Sequence, residues 1–226
     1  MLEAVSSGAE ARQRTPEHLV RTAERLYAQQ GITAVSLRQI VAAAGHRNPA
    51  AIQYHFGSRD GLLRAIVESR VGLFNDRRLA MLDALHQRGR DDDLRGVVEA
   101  VVLPFAQDEP PGAYYVRFLA RLSAHRAEMG RVFASVNDEY GASVRRVQKA
   151  LERCLAPLPP AVKTNRIAMA MSLTVNTLAD RQERAEAGED DLLPRDAFVS
   201  DLVDAVVGLL GAPPSPGTVE GLTRTA

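Results

Sequence analysis

The sequence predicts an all-α protein that has a small helix-turn-helix domain at its N-terminal end and a larger helical domain after it. Ala, Leu, Arg and Glu are abundant, whereas aromatic residues make up only 5 % and Trp is absent, a balance that favours helix over sheet. Apolar residues recur at helical spacing along the chain, and no segment has a convincing strand pattern. With 226 residues, of which 46 % are hydrophobic, the chain suits a small domain plus one of ordinary size.

The predicted organisation has four segments and about nine helices. Residues 1–14 lack the apolar region of a signal peptide and are expected to form a disordered arm. Residues 15–60 form the helix-turn-helix domain and residues 61–211 the larger domain. Residues 212–226 are rich in Pro, Gly and Thr, so they are expected to form a flexible tail.

The first helix is expected to begin at Thr15 and to end before Gly31. Thr15 is a good N-cap, Pro16 suits the first helical position, and Glu17 complements the helix dipole. Gly31 is a typical residue after a helix end. The apolar face of this helix comprises Leu19, Ala23, Leu26 and Tyr27.

Two short helices follow, separated by a tight turn that contains glycine. Ser36 and Gln39 form the pattern of a capping box, and Gly45 ends the helix that they begin. After three residues, Asn48 as N-cap and Pro49 as first helical residue open the next helix, which runs to about Phe56. This arrangement is the signature of a helix-turn-helix.

The larger domain is expected to contain six helices. Ser58 can cap one long helix, and Glu109-Pro110-Pro111-Gly112 and the Pro157–Pro160 segment mark clear breaks further along. The expected spans are Arg59–Gln87, 94–107, 113–125, 129–155, 162–187 and Pro194–Gly211.

The charge distribution distinguishes the N-terminal end from the rest of the chain. The net charge is zero, with 28 basic and 28 acidic residues. Residues 11–60 nevertheless contain seven Arg and three acidic residues, an excess of +4, whereas residues 61–226 have a net charge of −2. A positive excess at this end fits a phosphate-binding surface, although a solvated surface has the same composition.

The second helix of a helix-turn-helix enters the major groove of DNA, so its outer face must be small or polar. Ile52 and Phe56, four residues apart, are expected to face the core of the domain. Arg, Asn and Gln can then hydrogen-bond base edges, and Ala can contact a thymine methyl group. Two capped helices and a turn also occur in helical proteins that bind no DNA. The candidate DNA-binding residues are Ser36, Arg38, Arg47, Asn48, Ala51, Gln53, Tyr54, His55 and Arg59.

Residues 15–63 resemble the N-terminal domain of the tetracycline-repressor (TetR) family. The resemblance covers Gly31-Ile32, the run Val35 to Ile40, Ala43-Ala44-Gly45, and the run Tyr54-His55-Phe56-Gly57-Ser58-Arg59-Asp60-Gly61-Leu62-Leu63. It departs from the usual pattern in a turn that is one residue longer after Gly45 and in Gln53, where an aromatic residue is usual. The resemblance implies phosphate contacts by Ser36, Tyr54, His55 and Arg59, and base contacts by Asn48 and Ala51.

The last two helices of the larger domain are apolar on more than one face, which indicates partners on two sides. The resemblance implies that one face joins a second subunit through a four-helix bundle. A homodimer places two reading helices about 34 Å apart, which suits a palindromic operator in double-stranded DNA. The alternative is a fully buried central helix in a monomer. The candidate interface residues are Leu173, Leu178, Phe198, Leu202, Val206 and Leu209.

A mostly apolar set of residues with a few polar groups is a candidate lining for an effector cavity. The same residues at helical spacing could equally form an ordinary core. A small hydrophobic or amphipathic effector is expected, and the resemblance implies that its binding releases the DNA. The candidate residues are Phe105, Tyr114, Phe118, Leu122, His125, Phe133, Asn137, Tyr140 and Asn176.

Other classes of function find little support in the sequence. None of the common nucleophile, zinc-protease, dinucleotide or phosphate-loop motifs is present, so the protein is expected not to be an enzyme, and neither a cofactor nor a metal is expected. The single cysteine, Cys154, allows no intrachain disulfide, and no apolar run approaches the length of a membrane span, so a cytoplasmic protein is expected. The remaining alternative is a helical adaptor that binds protein and not DNA.

Overall fold

The structure, a computed structural model, describes residues 3–46, 48, 50–107, 114–136 and 138–224. The described residues form twelve helices and no strand, which confirms the predicted all-α class. The helices are α1 (Glu3–Gln30), α2 (Leu37–Ala43), α3 (Ala51–Phe56), α4 (Arg59–Glu68), α5 (Val71–Gln87), α6 (Leu94–Phe105), α7 (Tyr114–Ser123), α8 (Arg126–Ala134), α9 (Asp138–Cys154), α10 (Pro160–Glu186), α11 (Arg195–Gly211) and α12 (Pro216–Thr223).

The helix count exceeds the predicted nine because two predicted helices are each divided and the tail contains a further helix. Both divisions follow a serine whose hydroxyl donates a hydrogen bond to a carbonyl three residues earlier. Ser69 Oγ lies 2.8 Å from the Ile66 oxygen after α4, and Ser135 Oγ lies 2.8 Å from the Val132 oxygen after α8. Such local bonds compete with helix continuation. The prediction of one unbroken helix over Arg59–Gln87 is therefore wrong.

The two ends of the chain are more helical than their composition predicts. α1 begins at Glu3, so it includes most of the segment that was predicted to form a disordered arm, and Pro16 lies inside it. Ala, Glu, Arg and Gln in this segment are strong helix formers. α12 lies in the predicted flexible tail, where Ser215 caps it by accepting the Thr218 N–H at 3.3 Å and Pro216 occupies its first turn.

The chain divides into two compact units, which we call the N-terminal unit (1–73 and 109–141) and the C-terminal unit (74–108 and 142–226). The sequence predicts a boundary at residue 60 between the helix-turn-helix domain and the larger domain. The structural division instead groups α4, α7 and α8 with the helix-turn-helix, because their apolar side chains pack on the helices of the N-terminal end.

The core of the N-terminal unit lies mainly between α1 and α7. Tyr27 on α1 and Phe118 on α7 are both fully buried, and their ring centroids are 6.3 Å apart. Leu122 on α7 and Leu62 and Leu63 on α4 are also fully buried. α1 therefore serves as the central support on which α2, α4 and α7 pack.

The core of the C-terminal unit is formed by α6, α10 and α11. α6 contributes a run of buried valines, and α11 contributes Leu202, Val203, Val206 and Leu210. Arg95 on α6 forms a salt bridge with Asp204 on α11, and Arg166 on α10 donates a hydrogen bond to the Leu210 carbonyl at 3.1 Å.

None of the described helices is by itself both long enough and apolar enough to cross a membrane. α11 and the segment Pro216–Leu222 reach the required length and composition only as a pair, and that pair is bent by 55°.

Candidate nucleic-acid interface

α2 begins with the capping box that its sequence predicts. The Gln39 N–H donates to Ser36 Oγ at 3.3 Å, and the Ser36 N–H donates to Gln39 Oε1 at 2.8 Å. Ile40 and Val41 are buried, whereas Ser36, Arg38 and Gln39 are exposed. The box satisfies two backbone donors at the helix start, so the exposed side of α2 is presented in one orientation.

The turn after α2 depends on a glycine and on a side-chain cap. Gly45 has φ 69°, a left-handed conformation that side chains other than glycine rarely adopt. Asn48 Oδ1 accepts the Ala50 N–H at 2.9 Å, which is a typical Asx turn. α3 therefore begins at Ala51 with Ala50 as N-cap, two residues later than the Asn48-Pro49 start that the sequence predicts. Arg47 and Pro49 lie outside the described residues.

α3 has a buried side and an outer side. Ile52 is buried at 1 % exposure, and Gln53, Tyr54 and His55 are exposed. Ala51, predicted to contact bases, is only 6 % exposed, so its methyl group belongs to the core side of the helix. The exposed alanine is Ala50, the N-cap residue one position earlier.

Two neighbouring rings form an exposed aromatic pair at the end of α3. The side chain of Tyr54 is 83 % exposed, and its ring packs edge-on against His55 with centroids 4.9 Å apart. Gly57, with φ 72°, ends the helix, and Ser58 then caps α4 by accepting the Gly61 N–H at 3.0 Å. The pair thus lies shortly before the glycine that ends α3 and the serine that caps α4.

Arg59, predicted to contact phosphate, is directed toward other helices of the N-terminal unit. Its Cζ lies 5.6 Å from the ring centroid of Tyr27 on α1, and its Nε lies 3.8 Å from Glu128 Oε1 on α8. Two of its nitrogens are buried. Burial also raises the pKa of the Tyr27 hydroxyl, an effect that the Arg59 charge opposes, so the tyrosine stays neutral at physiological pH. The geometry gives Arg59 a packing role.

The exposed surface around α2 and α3 is thus polar and partly cationic, with one aromatic pair. Of the predicted set, Ser36, Arg38, Asn48, Gln53, Tyr54 and His55 are exposed on α2, on α3 or in the segments beside them. The described residues contain no cluster of three or more His, Cys, Asp or Glu side chains that could hold a metal ion. A surface of this kind, on a short capped helix after a tight turn, has the chemistry for contacts with DNA.

Two family models match the chain. The model described as bacterial regulatory proteins, tetR family, matches residues 19–66, and the tetracyclin repressor-like, C-terminal domain model matches residues 95–208. The second match alone spans half of the chain. The chain belongs to the TetR family. TetR-family proteins are DNA-binding transcription factors and not enzymes, so this chain is a transcriptional regulator, as its helix-turn-helix predicts.

The solved structure of a TetR-family protein with a TM-score above 0.5 shares the fold. A protein from Rhodococcus sp., described as a TetR-family transcriptional regulator, is 20 % identical with a TM-score of 0.51, covering 87 % of this chain and 99 % of that one. One from Mesorhizobium loti MAFF303099, described in the same way, is 15 % identical with a TM-score of 0.47, covering 88 % and 96 %. No curated protein matches the chain in sequence.

The predicted effector-binding residues of this TetR-family chain fall in both units. Phe105 and Asn176 belong to the C-terminal unit, and Tyr114, Phe118, Leu122, His125 and Phe133 belong to the N-terminal unit. Phe118 and Leu122 are fully buried in the packing around Tyr27, and Phe105 packs on Phe74 at 5.2 Å between centroids. Asn176 is exposed and donates to the Ser172 carbonyl on its own helix at 2.8 Å. Asn137 and the Tyr140 side chain lie outside what the structure describes.

The predicted dimer residues divide between two faces. Leu178, Leu202 and Val206 are 6 %, 4 % and 2 % exposed, so they belong to the core of the C-terminal unit and are removed from the candidate interface. Leu173, Phe198 and Leu209 remain partly exposed. Met169 on α10, which is not among the predicted interface residues, is 49 % exposed and lies one turn before Leu173. Periodicity alone could not separate the two faces, because apolar residues occupy both.

Cys154 has the environment of a structural residue. Its side chain is half-buried at the end of α9, and burial, with Asp92 adding to the effect, raises the pKa of its thiol. The thiolate is the nucleophilic form, so this cysteine is poorly reactive at neutral pH.

Proposed function

We propose that this protein is a ligand-responsive repressor, which binds a palindromic operator as a homodimer and is released by a small hydrophobic or amphipathic effector. The observation that carries the DNA-binding part is the outer side of α3, where Tyr54 is 83 % exposed on a capped helix. A large exposed aromatic residue adds little to the stability of the monomer, but its hydroxyl can hydrogen-bond a phosphate.

In the proposed complex, the exposed side chains around α3 fall into two groups, those that contact base edges and those that contact phosphates. Gln53, Asn48 and Ala50 are the candidates for base edges in the major groove. Asn48 Oδ1 already accepts the Ala50 N–H at 2.9 Å, so its Nδ2 group is the more available partner and would donate to an acceptor such as N7 or O6 of a purine. Tyr54, His55, Ser36 and Arg38 are the candidates for phosphates on either side of the groove.

The proposed dimer uses the outer sides of α10 and α11. Met169 and Leu173 lie one turn apart on α10, and Phe198 and Leu209 remain partly exposed on α11. TetR-family regulators typically bind DNA as dimers. Two copies of α3 related by a twofold axis would read two half-sites, which explains the expected palindrome.

The proposed response to effector is a population shift. An effector that binds better to a non-binding arrangement of the dimer would lower operator affinity, with a coupling of about 1–3 kcal/mol typical of such systems. TetR-family regulators commonly have small-molecule effectors. In the proposed direction of this response, binding of the effector releases the DNA.

Replacing Tyr54 with phenylalanine should weaken operator binding by about ten- to a hundredfold, since a hydrogen bond to a charged group contributes roughly 1.5–3 kcal/mol. The measurement is a mobility shift on upstream DNA at about 150 mM salt with excess competitor, because non-specific binding depends strongly on salt. Thermal stability should not change, since the side chain is 83 % exposed.

The matched control is Leu193→Ala, which alters another exposed residue, 51 % accessible, on the loop between α10 and α11. Operator affinity should be unchanged in this variant. If the wild-type protein shows no site-specific shift on upstream DNA or after selection from genomic fragments, the operator proposal fails and the adaptor alternative takes its place.

Replacing Met169 with lysine should convert the dimer to a monomer at micromolar concentration. A charge buried in an apolar interface without a partner costs several kcal/mol, so we expect dissociation to increase about a hundredfold or more. Sedimentation equilibrium measures this directly. Val144→Lys, at a residue 40 % exposed on α9, is the control and should remain dimeric. Equal behaviour of the two variants would place the interface elsewhere.

A further inference from the structure

A cleft lies within the C-terminal unit, lined by α5, α6 and α9, and none of its residues is in the predicted effector set. Its volume is about 250 Å³. The apolar part of its lining consists of Leu82 and Leu85 from α5, Val97 from α6 and Ala150 from α9. Leu82, Val97 and Ala150 are each 6 % exposed or less, so this part is a firm, packed surface.

The polar part of the lining is strongly basic. Arg146, Lys149 and Arg153 project from successive turns of α9, and His86 lies across from them at the end of α5. Among the described residues of the lining, Asp91 is the only acidic one. Within the described part of the chain Lys149 forms no salt bridge, so its ammonium group is available to a ligand.

The two arginines of the cleft connect α9 to α5 and to the loop that follows it. Arg146 Nη2 lies 2.6 Å from Asp83 Oδ1 on α5. Arg153 lies 3.5 Å from Asp91 and 3.8 Å from Asp92. All of these side chains are more than a third exposed, so each pair is weak and a bound anion can compete with the aspartates.

We propose that this cleft binds an amphipathic anion, with its apolar part on the leucine and valine surface and its carboxylate or similar group against Lys149, Arg146 and Arg153. A mixed lining of packed apolar side chains with convergent charges of one sign is the chemistry that recognises such a ligand. Competition with Asp83 and Asp91 would loosen the connection between α9 and α5. The identification of this ligand as the effector rests on the proposed function, whereas the binding of an anion in the cleft does not depend on it.

The test is isothermal titration calorimetry of the full-length protein, without DNA, using sodium octanoate and sodium benzoate as probes. We expect at least one of the two to bind, and the size-matched cation octylamine not to bind. Lys149→Glu should weaken binding about tenfold or more, since it replaces an attractive charge by a repulsive one. The matched control is Lys163→Glu on α10, outside the cleft, which should bind as wild type does.

Three results would contradict the proposed anion site. Absence of heat with both acids, equal binding of octylamine, or equal weakening by the two variants would each overturn it. Circular dichroism confirms that both variants are folded. A mobility shift with operator DNA, measured with and without the acid, distinguishes the anion site from its role as the effector site. If the acid binds but leaves operator binding unchanged, the site is supported and its role as the effector site is contradicted.

Discussion

Replacing Phe118 with alanine should lower the free energy of unfolding by about 3–5 kcal/mol, the usual cost of truncating a fully buried phenylalanine. Phe118 is fully buried and contacts Tyr27 on α1 and Tyr115 on its own helix, with centroid distances of 6.3 Å and 6.1 Å. The cavity left behind would lie beside the helix on which the helix-turn-helix packs. Operator binding should therefore be lost at temperatures where the wild-type protein still binds.

Urea unfolding followed by circular dichroism measures this change, with linear extrapolation to water. Phe133→Ala on α8, where the side chain is only half-buried, is the matched control and should cost clearly less. In the sequence, Phe118 is a candidate residue for the lining of an effector cavity. If Phe118→Ala leaves stability unchanged and abolishes the response to an effector, that assignment is correct and the core assignment is wrong.

Replacing Glu24 with glutamine should destabilise the N-terminal unit by about 2–4 kcal/mol. Glu24 is 2 % exposed, and both of its oxygens accept hydrogen bonds from Arg70 Nη2, at 3.0 Å and 2.9 Å. Removing one partner of a buried pair leaves the other charge without compensation, which typically costs about 3–5 kcal/mol. The expected value is somewhat lower because the Arg70 side chain is 17 % exposed, so water can partly solvate the guanidinium.

The control is Glu17→Gln, which removes an exposed carboxylate on the same helix. Its partner Arg21 lies 3.9 Å away and both side chains are more than half exposed, so we expect a change below about 0.5 kcal/mol. A double-mutant cycle with Arg70→Gln isolates the coupling energy of the pair. A coupling energy near zero would contradict the interpretation that this pair holds the segment between α4 and α5 against α1.

The Glu24–Arg70 pair is also expected to affect operator binding, because of the elements that its two residues connect. Arg70 belongs to the short segment between α4 and α5, and Glu24 belongs to α1, the central support of the N-terminal unit. Glu24→Gln should thus reduce operator affinity through the orientation of the helix-turn-helix, although neither residue is a candidate DNA contact. Hydrogen exchange of the α1 and α4 amides would report the loosening.

Sequence alone determined those features of the protein that depend on local chemistry. The capping box of Ser36 and Gln39 and the caps at Ser58 and Gly45 can be read from residue types at fixed spacing, because each is formed within a few residues. The order of helices and the TetR resemblance of residues 15–63 followed from the same signals, and the family matches confirm both the class and the regulator.

Only the tertiary structure decided which face of an apolar helix is core and which is surface. Leu178, Leu202 and Val206 are of the same residue types and have the same spacing as the residues of the proposed interface, yet they pack within their own unit. Ala51 and Arg59 look like DNA contacts in sequence, but Ala51 lies beside Ile52 on the buried side of α3, and Arg59 packs on the Tyr27 ring close to Glu128. The Glu24–Arg70 pair and the cationic cleft join residues far apart in the chain, and no local pattern encodes such contacts.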